Sequence, residues 1–528
     1  MPFDYDFPYR SQRMPVMAGN VVATSQPLAA QAGLTMLQRS GNAVDAALAA
    51  AICLTVVEPT NNGIGGDAFA MVWDGTKLHG LNGSGRSPMA WDYKHFAHYD
   101  HMPRFGWDSI TVPGAVSAWV ELSRKFGKLP FETLFEPAIG YAKAGFPVSP
   151  KTSALWELAV ETYEDFPEFS RIFTPKGRFP HPGELFSCPD QAKTLEEIAL
   201  TSGESFYHGR LAEEIAACSL KEGGLMTAED LAKHQADWVE PIAINYRGCD
   251  LYEIPPNGQG LAALIALGIL GHFDLARYPV DSADSLHLQI EAMKLAFADV
   301  GAHLADPGYM TISYQELLDP DYLKSRAKLI DMKKAGHPST GIPYEKGTVY
   351  LTAADSSGMM VSYIQSNYWG FGSGVVIPGT GIAMQNRGYG FNIAKGHPNR
   401  VDSFKRPFHT IIPALVMKEG RPVMSFGVMG GHFQAQGHIQ MMTRIFDFGL
   451  NPQAASDAPR WMVTEDGRVA VEAGIKPEVL DELRSRGHNI VLDQPARQFG
   501  GAQLIYRLDN GAYVAASDSR KDGQAAGF

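Results

Sequence analysis

A Gly–Thr pair stands where a polar linker meets a strand-like segment, in the stretch EKGTVYLTAAD about two thirds of the way along the chain. Because Thr favours strands and Gly interrupts them, the pair fits an ordinary junction between loop and strand. Two glycine pairs, Gly65–Gly66 and Gly430–Gly431, also lie beside apolar strand-like segments. They fit tight turns, and they equally fit a row of unobstructed backbone N–H groups that binds an oxyanion.

Several common catalytic motifs are missing from the sequence. It has no GxSxG nucleophile elbow, no HExxH zinc motif and no P-loop. Its 16 histidines are scattered, and none has an obvious metal-ligand partner four residues later. We therefore expect neither a serine hydrolase nor a zinc protease nor a nucleotide-phosphate enzyme, and we predict no metal and no cofactor.

Composition limits the classes of partner. The chain has 528 residues, of which 45% are hydrophobic and 19% charged, as in an ordinary globular protein with a large core. Its formal net charge is -12 and it has no run of Lys or Arg. Nucleic-acid binding depends on neutralising phosphates, so we expect no nucleic-acid partner.

The cysteines and the apolar runs indicate in which cellular compartment we expect the protein to lie. The four cysteines are widely spaced and form no CxxC motif, which argues against a zinc ribbon or a disulfide scaffold and fits a reducing cytoplasm. The first residues lack the basic start and apolar core of a secretion signal. The most apolar runs are too short to cross a bilayer. We predict a soluble, cytoplasmic protein with no membrane partner.

The types of secondary structure that must position these residues change along the chain. The first 75 residues read as strand, helix, helix and strand, followed by a long and mostly helical middle part. From Thr348 onward the sequence reads as strands joined by tight turns, with one long helix among them. Strands at both ends with helices between them predict one layered domain of helices and sheets, assembled from distant segments.

The whole chain resembles the γ-glutamyltranspeptidase family of N-terminal-nucleophile hydrolases. The landmarks that carry the resemblance follow one another in the family's order: SGNAVDAALAAAICLTVVEP, GIGGDAF, VPGAVSAWVELSRKFGKLP, GGLMTAEDLAKHQADWVEPI, YRGCDLYEIPP, GTVYLTAADSSG, FGSGVVIPGTGIAMQN, KRP and VMGG. The resemblance implies an α+β fold, a four-layer αββα sandwich with a mostly helical region in the large subunit. It also implies a precursor that cuts itself into residues 1–347 and 348–528, which together form one αββα domain and an αβ heterodimer. Whether that heterodimer pairs further stays open.

The resemblance gives the Gly–Thr pair a function, because family precursors are cleaved before a Thr that starts a strand. Here the matching bond is Gly347–Thr348, and Thr348 would be the nucleophile. The Thr hydroxyl can attack the preceding carbonyl, shift the acyl group from N to O, and free its own amine when the ester is hydrolysed. That amine, with a reference pKa of about 7.7–8.0, can then serve as the general base. Before cleavage the same nitrogen is an amide, so the precursor is inactive.

Three further residues acquire catalytic roles from the resemblance. Gly430 and Gly431 would supply the backbone donors for the oxyanion, and one such donor is worth roughly a hundred- to thousand-fold in rate in other hydrolases. Ser366 lies where the family has a second hydroxyl beside the nucleophile. A strand serine with a satisfied hydroxyl explains Ser366 equally well.

The donor-binding positions depart from the transpeptidase pattern. Counted from Thr348, this sequence has Tyr368, Arg387 and Gly390 where transpeptidases have an Asn, a Gln and an Asp. An acid that would accept the donor's ammonium group is thus replaced by a guanidinium. Two cations 4 Å apart repel by about 4 kcal/mol at an effective dielectric near 20, so we expect a γ-glutamyl donor to bind poorly.

The same positions suit a donor that carries a carboxylate and no ammonium. The planar fork of Arg387 fits a carboxylate bidentately, and Tyr368 could add a hydrogen bond. His409 and Thr410 stand where transpeptidases have two serines, and Arg86 lies two residues before a proline where the family has its Arg four before. Arg86 fits either a donor-binding role or a surface ion pair.

These departures resemble the acylase-like branch of the family and predict a self-processing amidohydrolase that forms an acyl-Thr348 ester. A small-molecule amide bearing a carboxylate would be its substrate, and oxamate, split to oxalate and ammonia in purine nitrogen catabolism, is our first expectation. A glutathione hydrolase or γ-glutamyltransferase and a glutaryl (cephalosporin) acylase are the enzymatic alternatives. A catalytically inactive binding protein is the third, against which the presence of Thr348, Ser366 and the Gly430–Gly431 pair argues.

Overall fold

The computed structural model describes residues 12–337 and 348–528. The strands of these residues are β1 Val16–Ala18, β2 Val21–Thr24, β3 Asp67–Trp73, β4 Leu78–Asn82, β5 Phe146–Pro147, β6 Leu185–Phe186, β7 Asp237–Val239, β8 Ile242–Tyr246, β9 Cys249–Glu253, β10 Val349–Ala354, β11 Met360–Ser366, β12 Val376–Ile377, β13 Ile382–Ala383, β14 Ala414–Lys418, β15 Arg421–Met429, β16 Trp461–Val463, β17 Val469–Val471, β18 Ile490–Val491, β19 Gly501–Arg507, β20 Tyr513–Ser517 and β21 Gln524–Gly527.

Most α-helices of the same residues lie before Thr348, several of them in direct succession, and fewer lie after it. They are α1 Pro27–Gln38, α2 Ala43–Val57, α3 Ala115–Phe126, α4 Glu136–Ala144, α5 Pro150–Thr162, α6 Pro167–Phe173, α7 Pro189–Leu200, α8 Glu204–His208, α9 Arg210–Lys221, α10 Ala228–Ala232, α11 Gly260–Leu270, α12 Ala283–His303, α13 Tyr314–Leu317, α14 Pro320–Ala327, α15 Phe433–Phe446, α16 Pro452–Asp457 and α17 Pro477–Ser485. None of them combines the length and the apolar character that crossing a membrane requires.

Two seven-stranded antiparallel sheets form the centre of the fold. One has the strand order β1-β20-β19-β15-β14-β9-β8, and the other has the order β21-β2-β10-β11-β3-β4-β7. Each sheet combines strands from before and after Thr348, so neither half of the chain completes a sheet alone. The α+β class that we expected is confirmed, with two antiparallel sheets and many helices.

The two sheets pack face to face, and helices cover their outer faces. Strands β10 and β11 contact β15 of the other sheet, and apolar side chains such as Phe69, Tyr350 and Leu415 fill the space between. Helix α2 lies against β10 and β11, while α11 and α15 lie against β8 and β15. Both sheets are thereby removed from water on both faces, which explains why β10 and β11 are buried along their whole lengths.

Local signals in the sequence explain several element boundaries. Helix α1 begins at Pro27, and α2 follows Asn42, whose side chain accepts from the backbone N–H groups of Val44 and Asp45 in a capping box. Strands β8 and β9 form an antiparallel pair that turns at Arg247 and Gly248, both with positive φ (55° and 77°).

Candidate active site

Thr348 lies at the entrance of β10, in the middle of its sheet. It is 3% exposed, and the strand residue that follows it, Val349, pairs with Gln365 of β11. The Thr348 Oγ1 lies 3.3 Å from Ser366 Oγ, at the end of β11, and 3.4 Å from the amide nitrogen Nε2 of Gln434. Gly347, the other half of the predicted cleavage site, lies outside the described residues.

The Gly430–Gly431 pair joins β15 to α15. Both residues have positive φ, 131° and 58°, a conformation that L side chains rarely adopt. A Cβ on Gly430 would lie 3.1 Å from the backbone of Gly500. The pair therefore brings its backbone to the N-terminal end of a 14-residue helix, where partial positive charge favours an anion. Gly430 lines the same cleft as Thr348.

Arg387 is fully buried one hydroxyl away from Thr348. Its Nη1 donates to Thr410 Oγ1 at 2.8 Å, and its Nη2 lies 3.4 Å from Ser366 Oγ. The guanidinium stacks on the ring of Tyr368, 3.9 Å from the ring centroid. Burial lowers the pKa of Arg387 to about 10, which leaves it charged at neutral pH. Among the described residues no carboxylate lies within 4.0 Å of it.

His409 lies behind this cluster. Its Nε2 is 3.0 Å from Asp67 Oδ2, and both side chains are fully buried. Burial and the neighbouring Arg387 hold the pKa of His409 well below its usual value, so the ring is neutral. Burial also raises the pKa of Asp67 to about 7, against the opposing effect of Arg387. His409 thus binds Asp67, and its neighbour Thr410 binds Arg387.

Arg86 lies in a different cluster from the one around Thr348. Its guanidinium pairs with Asp306 at 3.1 Å, reaches Asp237 at 4.0 Å and stacks on Phe404, and its side chain is 30% exposed. Of the two interpretations that the sequence left open, these contacts favour the structural ion pair. The structure does not bring Arg86 into contact with Thr348, Ser366 or Arg387.

A cleft of about 1180 Å³ opens outside Thr348. One wall is α5 with Tyr163 beyond its end, and the segment after β11 contributes Trp369 and Phe371. The turn between β16 and β17, residues 464–468, and the segment 494–498 add polar and charged side chains of both signs. Arg387 is not among the residues that line this cleft. The nucleophile candidate therefore separates a buried cation on one side from a wide opening on the other.

One buried cluster has metal-ligand spacing, which the sequence analysis missed. His287 and Glu291 lie four residues apart on α12, and their ligand atoms lie within 4.8 Å of those of His488. The Lys294 ammonium lies 2.9 Å from Glu291 Oε1 and 3.4 Å from His488 Nδ1. Because this cation already balances the carboxylate, the cluster needs no metal ion to be satisfied.

Gln434 and Asp67 are two site residues that the sequence analysis did not single out. Gln434 follows the Gly430–Gly431 pair by three residues, on the first turn of α15. Asp67 follows the other glycine pair and faces Ser366 directly across β3 and β11. The sequence feature that could have identified them is their position just after the two glycine pairs, where the ends of strands and helices meet.

Comparisons with known proteins agree along the whole chain. The family described as Gamma-glutamyltranspeptidase matches residues 29–528. The glutathione hydrolase-like YwrD proenzyme of Bacillus subtilis is 36% identical over 517 residues, covering 96% of this chain and 98% of that protein. The oxamate amidohydrolase proenzyme of Klebsiella pneumoniae is 35% identical over 515 residues, covering 95% and 97%.

A solved structure gives the same result. The cephalosporin acylase from Bacillus halodurans superposes with a TM-score of 0.96 at 47% identity, covering 100% of this chain and 99% of that one. Full-length matches at these identities leave the fold and the proenzyme character in no doubt. The chain belongs to the γ-glutamyltranspeptidase family and is an autocatalytically processed amidohydrolase of the N-terminal-nucleophile class.

Proposed function

We propose that the protein cleaves itself between Gly347 and Thr348 and then hydrolyses the amide of a small donor whose acyl group carries a carboxylate. The hydroxyl of Thr348 attacks the donor's carbonyl, its free α-amine takes the hydroxyl proton, and the amine product leaves. Water then hydrolyses the acyl-Thr348 ester. Residues 1–347 and 348–528 are the two subunits, and the helix–sheet–sheet–helix packing supports one shared αββα domain.

The observation that carries this proposal is the buried guanidinium of Arg387 beside the nucleophile. A buried cation without a carboxylate in contact is costly, and a donor carboxylate would supply the missing partner with charge-assisted hydrogen bonds. Thr410 and the face of Tyr368 hold the guanidinium in place. Gly430 and Gly431 would receive the oxyanion, and Ser366 would orient the Thr348 hydroxyl.

The short path between Thr348 and Arg387 favours a short acyl group. Both groups lie against the same Ser366 hydroxyl, at 3.3 Å and 3.4 Å, so they are no further apart than the sum of those distances. An acyl group with its carboxylate directly on the carbonyl carbon spans this gap when extended, whereas a glutaryl chain must fold. We therefore propose oxamate as the donor, as for the oxamate amidohydrolase relative, with a role in purine nitrogen catabolism.

A glutaryl-type acylase is the second candidate, because the cleft beyond Thr348 is far larger than an ammonia leaving group needs. Its volume of about 1180 Å³ suits a large amine, and the solved relative is named a cephalosporin acylase. A γ-glutamyl donor is less well supported. Its ammonium would need an acid, and Asp67 is already bound by His409 and by the N–H groups of Gly85 and Gly114.

The test is the release of ammonia or amine from oxamate, glutarylamide, glutamine and glutathione by the processed enzyme. We expect oxamate to give the highest kcat/KM. Highest turnover of glutarylamide would support the acylase instead, and highest turnover of glutathione would contradict both carboxylate-only donors. Thr348→Ala should remain one uncleaved, inactive chain, whereas Thr348→Ser, which keeps the hydroxyl, should still process and turn over.

A further inference from the structure

Gln434 touches the hydroxyl of Thr348 from the first turn of α15. Its Nε2 lies 3.4 Å from Thr348 Oγ1, and the side chain is fully buried. It approaches the hydroxyl as a second contact besides Ser366, which lies 3.3 Å from the same atom. A neutral amide next to a reacting oxygen needs an explanation, because most buried glutamines bond only to structural partners.

The backbone around Gln434 fixes which end of its amide faces Thr348. The N–H of Ile412 lies 3.0 Å from Oε1 and can only donate, so the oxygen must point toward Ile412. The NH₂ group then faces the Thr348 hydroxyl as a donor. The Gln434 backbone N–H donates in turn to the carbonyl of Gly431 at 3.1 Å. The N-terminal end of α15 therefore carries both the glycine pair that is the candidate oxyanion-binding site and this amide.

A donor at this atom has a specific effect on the chemistry. The Thr348 oxygen must give up its proton to attack, and it becomes the leaving oxygen when water hydrolyses the ester. Negative charge grows on that oxygen in both transition states. A fixed N–H donor stabilises growing charge more than it stabilises a neutral hydroxyl or ester, so it lowers the barrier.

We propose that Gln434 is a catalytic residue that donates a hydrogen bond to the Thr348 oxygen while the acyl ester forms and breaks. In deacylation, water gives a proton to the α-amine as it attacks the acyl carbonyl. The bond from the carbonyl carbon to the Thr348 oxygen then breaks, and its electron pair goes to that oxygen, which takes the proton back from the α-ammonium. The Gln434 N–H stabilises the oxygen until that proton arrives. The inference rests on the proposed role of Thr348.

Gln434→Glu separates a catalytic role from a structural one. Glutamate keeps an oxygen for the Ile412 N–H but presents an acceptor to Thr348 when it is ionised. Burial raises the pKa of a carboxyl group, and the protonated form donates again. Relative to the wild type at the same pH, we expect kcat of the processed variant to be about 10- to 100-fold lower at neutral and higher pH, with KM unchanged, and this ratio to recover partly as the pH falls.

Gln434→Met is the second variant, in case the glutamate prevents processing. It is neutral and similar in size, and it should lose kcat to the same extent with no recovery at low pH. Gln440→Glu is the matched control, since Gln440 is a buried glutamine on the same helix that donates to Gln436 and Trp461 backbone carbonyls. Its kcat relative to the wild type should show no such recovery at low pH.

The outcome that overturns the inference is a processed Gln434→Glu or Gln434→Met enzyme whose kcat stays within about threefold of the wild type across the pH range, a difference below roughly 1 kcal/mol. A change in KM alone would also overturn it. These results differ from failure of the proposed function, in which Thr348→Ala itself would be cleaved or active.

Discussion

Arg387 brings a positive charge into the interior at a point where no described carboxylate lies within 4.0 Å to balance it. Two hydroxyls and one aromatic face hold the guanidinium, so it is ordered before any donor arrives. Such pre-organisation reduces the entropy that binding costs. Under the proposed function, the selectivity of the site for a carboxylate would thus depend on one side chain.

Replacing Arg387 by Lys should raise KM for carboxylate-bearing amides by about 10- to 100-fold, since an ammonium cannot reproduce the planar fork and hydrogen bonds to charged groups contribute roughly 1.5–3 kcal/mol. Processing at Thr348 should continue. The control is Arg247→Lys, at a partly exposed ion pair with Asp447. Steady-state kinetics measure KM for both variants. An unchanged KM in Arg387→Lys would show that Arg387 does not bind the donor carboxylate.

Asp67 should make donor binding depend on pH. Burial raises its pKa to about 7, so it gains its negative charge as the pH rises through that value. The charge then competes with the donor carboxylate for the field of Arg387, and KM should rise above about pH 7. Because the pKa of Asp67 is higher in the folded protein than in the unfolded chain, the unfolded chain loses its proton first. The free energy of unfolding should therefore also fall as the pH rises from the ordinary pKa of 3.8 to about 7.

The measurement is KM against pH for wild type and Asp67→Asn. The variant should show a smaller rise, because it loses the part that Asp67 contributes, whereas the Thr348 α-amine, with its reference pKa of about 7.7–8.0, titrates in both proteins. The neutral ring of His409 adds no change in this range. The exposed Asp321→Asn is the control. A wild-type KM that is constant from pH 6 to 8, or an Asp67→Asn profile identical to it, would contradict the coupling.

Residue spacing predicted part of this site. Counting from Thr348 identified Ser366, Tyr368 and Arg387, which the structure brings together. It could not separate Arg86 from the site, because an arginine before a proline has the same sequence pattern in a donor site and in an ion pair. Nor could it find Gln434, since its contact with Thr348 depends on how α15, which packs on β15 of one sheet, meets the start of β10 in the other sheet, and not on local sequence.

At the scale of the elements, the wall of the cleft depends on a cap from the far end of the chain. Helix α5 follows Ser149, whose side chain caps none of the helix's own N–H groups. Asp522 accepts instead from the backbone N–H groups of Lys151 and Thr152, at 3.0 Å and 2.9 Å, and from Ser149 Oγ at 2.7 Å. A carboxylate at a helix N-terminus accepts from these donors and also interacts favourably with the positive end of the helix dipole.

Asp522→Ala should lower the free energy of unfolding by about 1–2 kcal/mol, the usual effect of losing a helix cap. It should also raise KM for donors with a large amine more than for oxamate, because α5 lines the opening on that side. Thermal unfolding and kinetics with both donors measure the two effects. Asp509→Ala, in the exposed turn after β19, is the control, and equal melting temperatures for the two variants would refute the cap.

Element boundaries were easier to predict than element partners. Pro27 and Asn42 are residue types typical of helix starts, and α1 and α2 begin at or just after them. The segment from Thr194 to Gly224 reads as amphipathic, yet it breaks into α7, α8 and α9 around Gly203 and Gly209. The strand order was beyond reach, because neighbours such as β2 and β10 are separated by more than 300 residues and pair through packing alone.

At the scale of the whole molecule, the proposed cleavage before Thr348 would leave two chains that share both sheets. Strands β10 and β11 lie between β2 and β3, so the centre of one sheet alternates between the two chains. Separating them would break ladders along both edges of that β-hairpin and expose the core between the sheets. The subunits of the processed enzyme are thus parts of one fold.

The processed enzyme should therefore run as a single particle in native gel filtration, at the same volume as uncleaved Thr348→Ala. Only a denaturant should separate the two chains. Dissociation of the processed chains on dilution in native buffer, with activity retained by either one, would be incompatible with the shared sheets.

The identity of the first residue of the small subunit decides between this account and its competitors. Intact-mass measurement and N-terminal sequencing of the active enzyme should find a fragment that begins at Thr348 with a free amine, and Thr348→Ala should give only the full chain of 528 residues. Full amidase activity in an uncleaved chain, or a small subunit that begins at any other residue, would contradict Thr348 as both nucleophile and base.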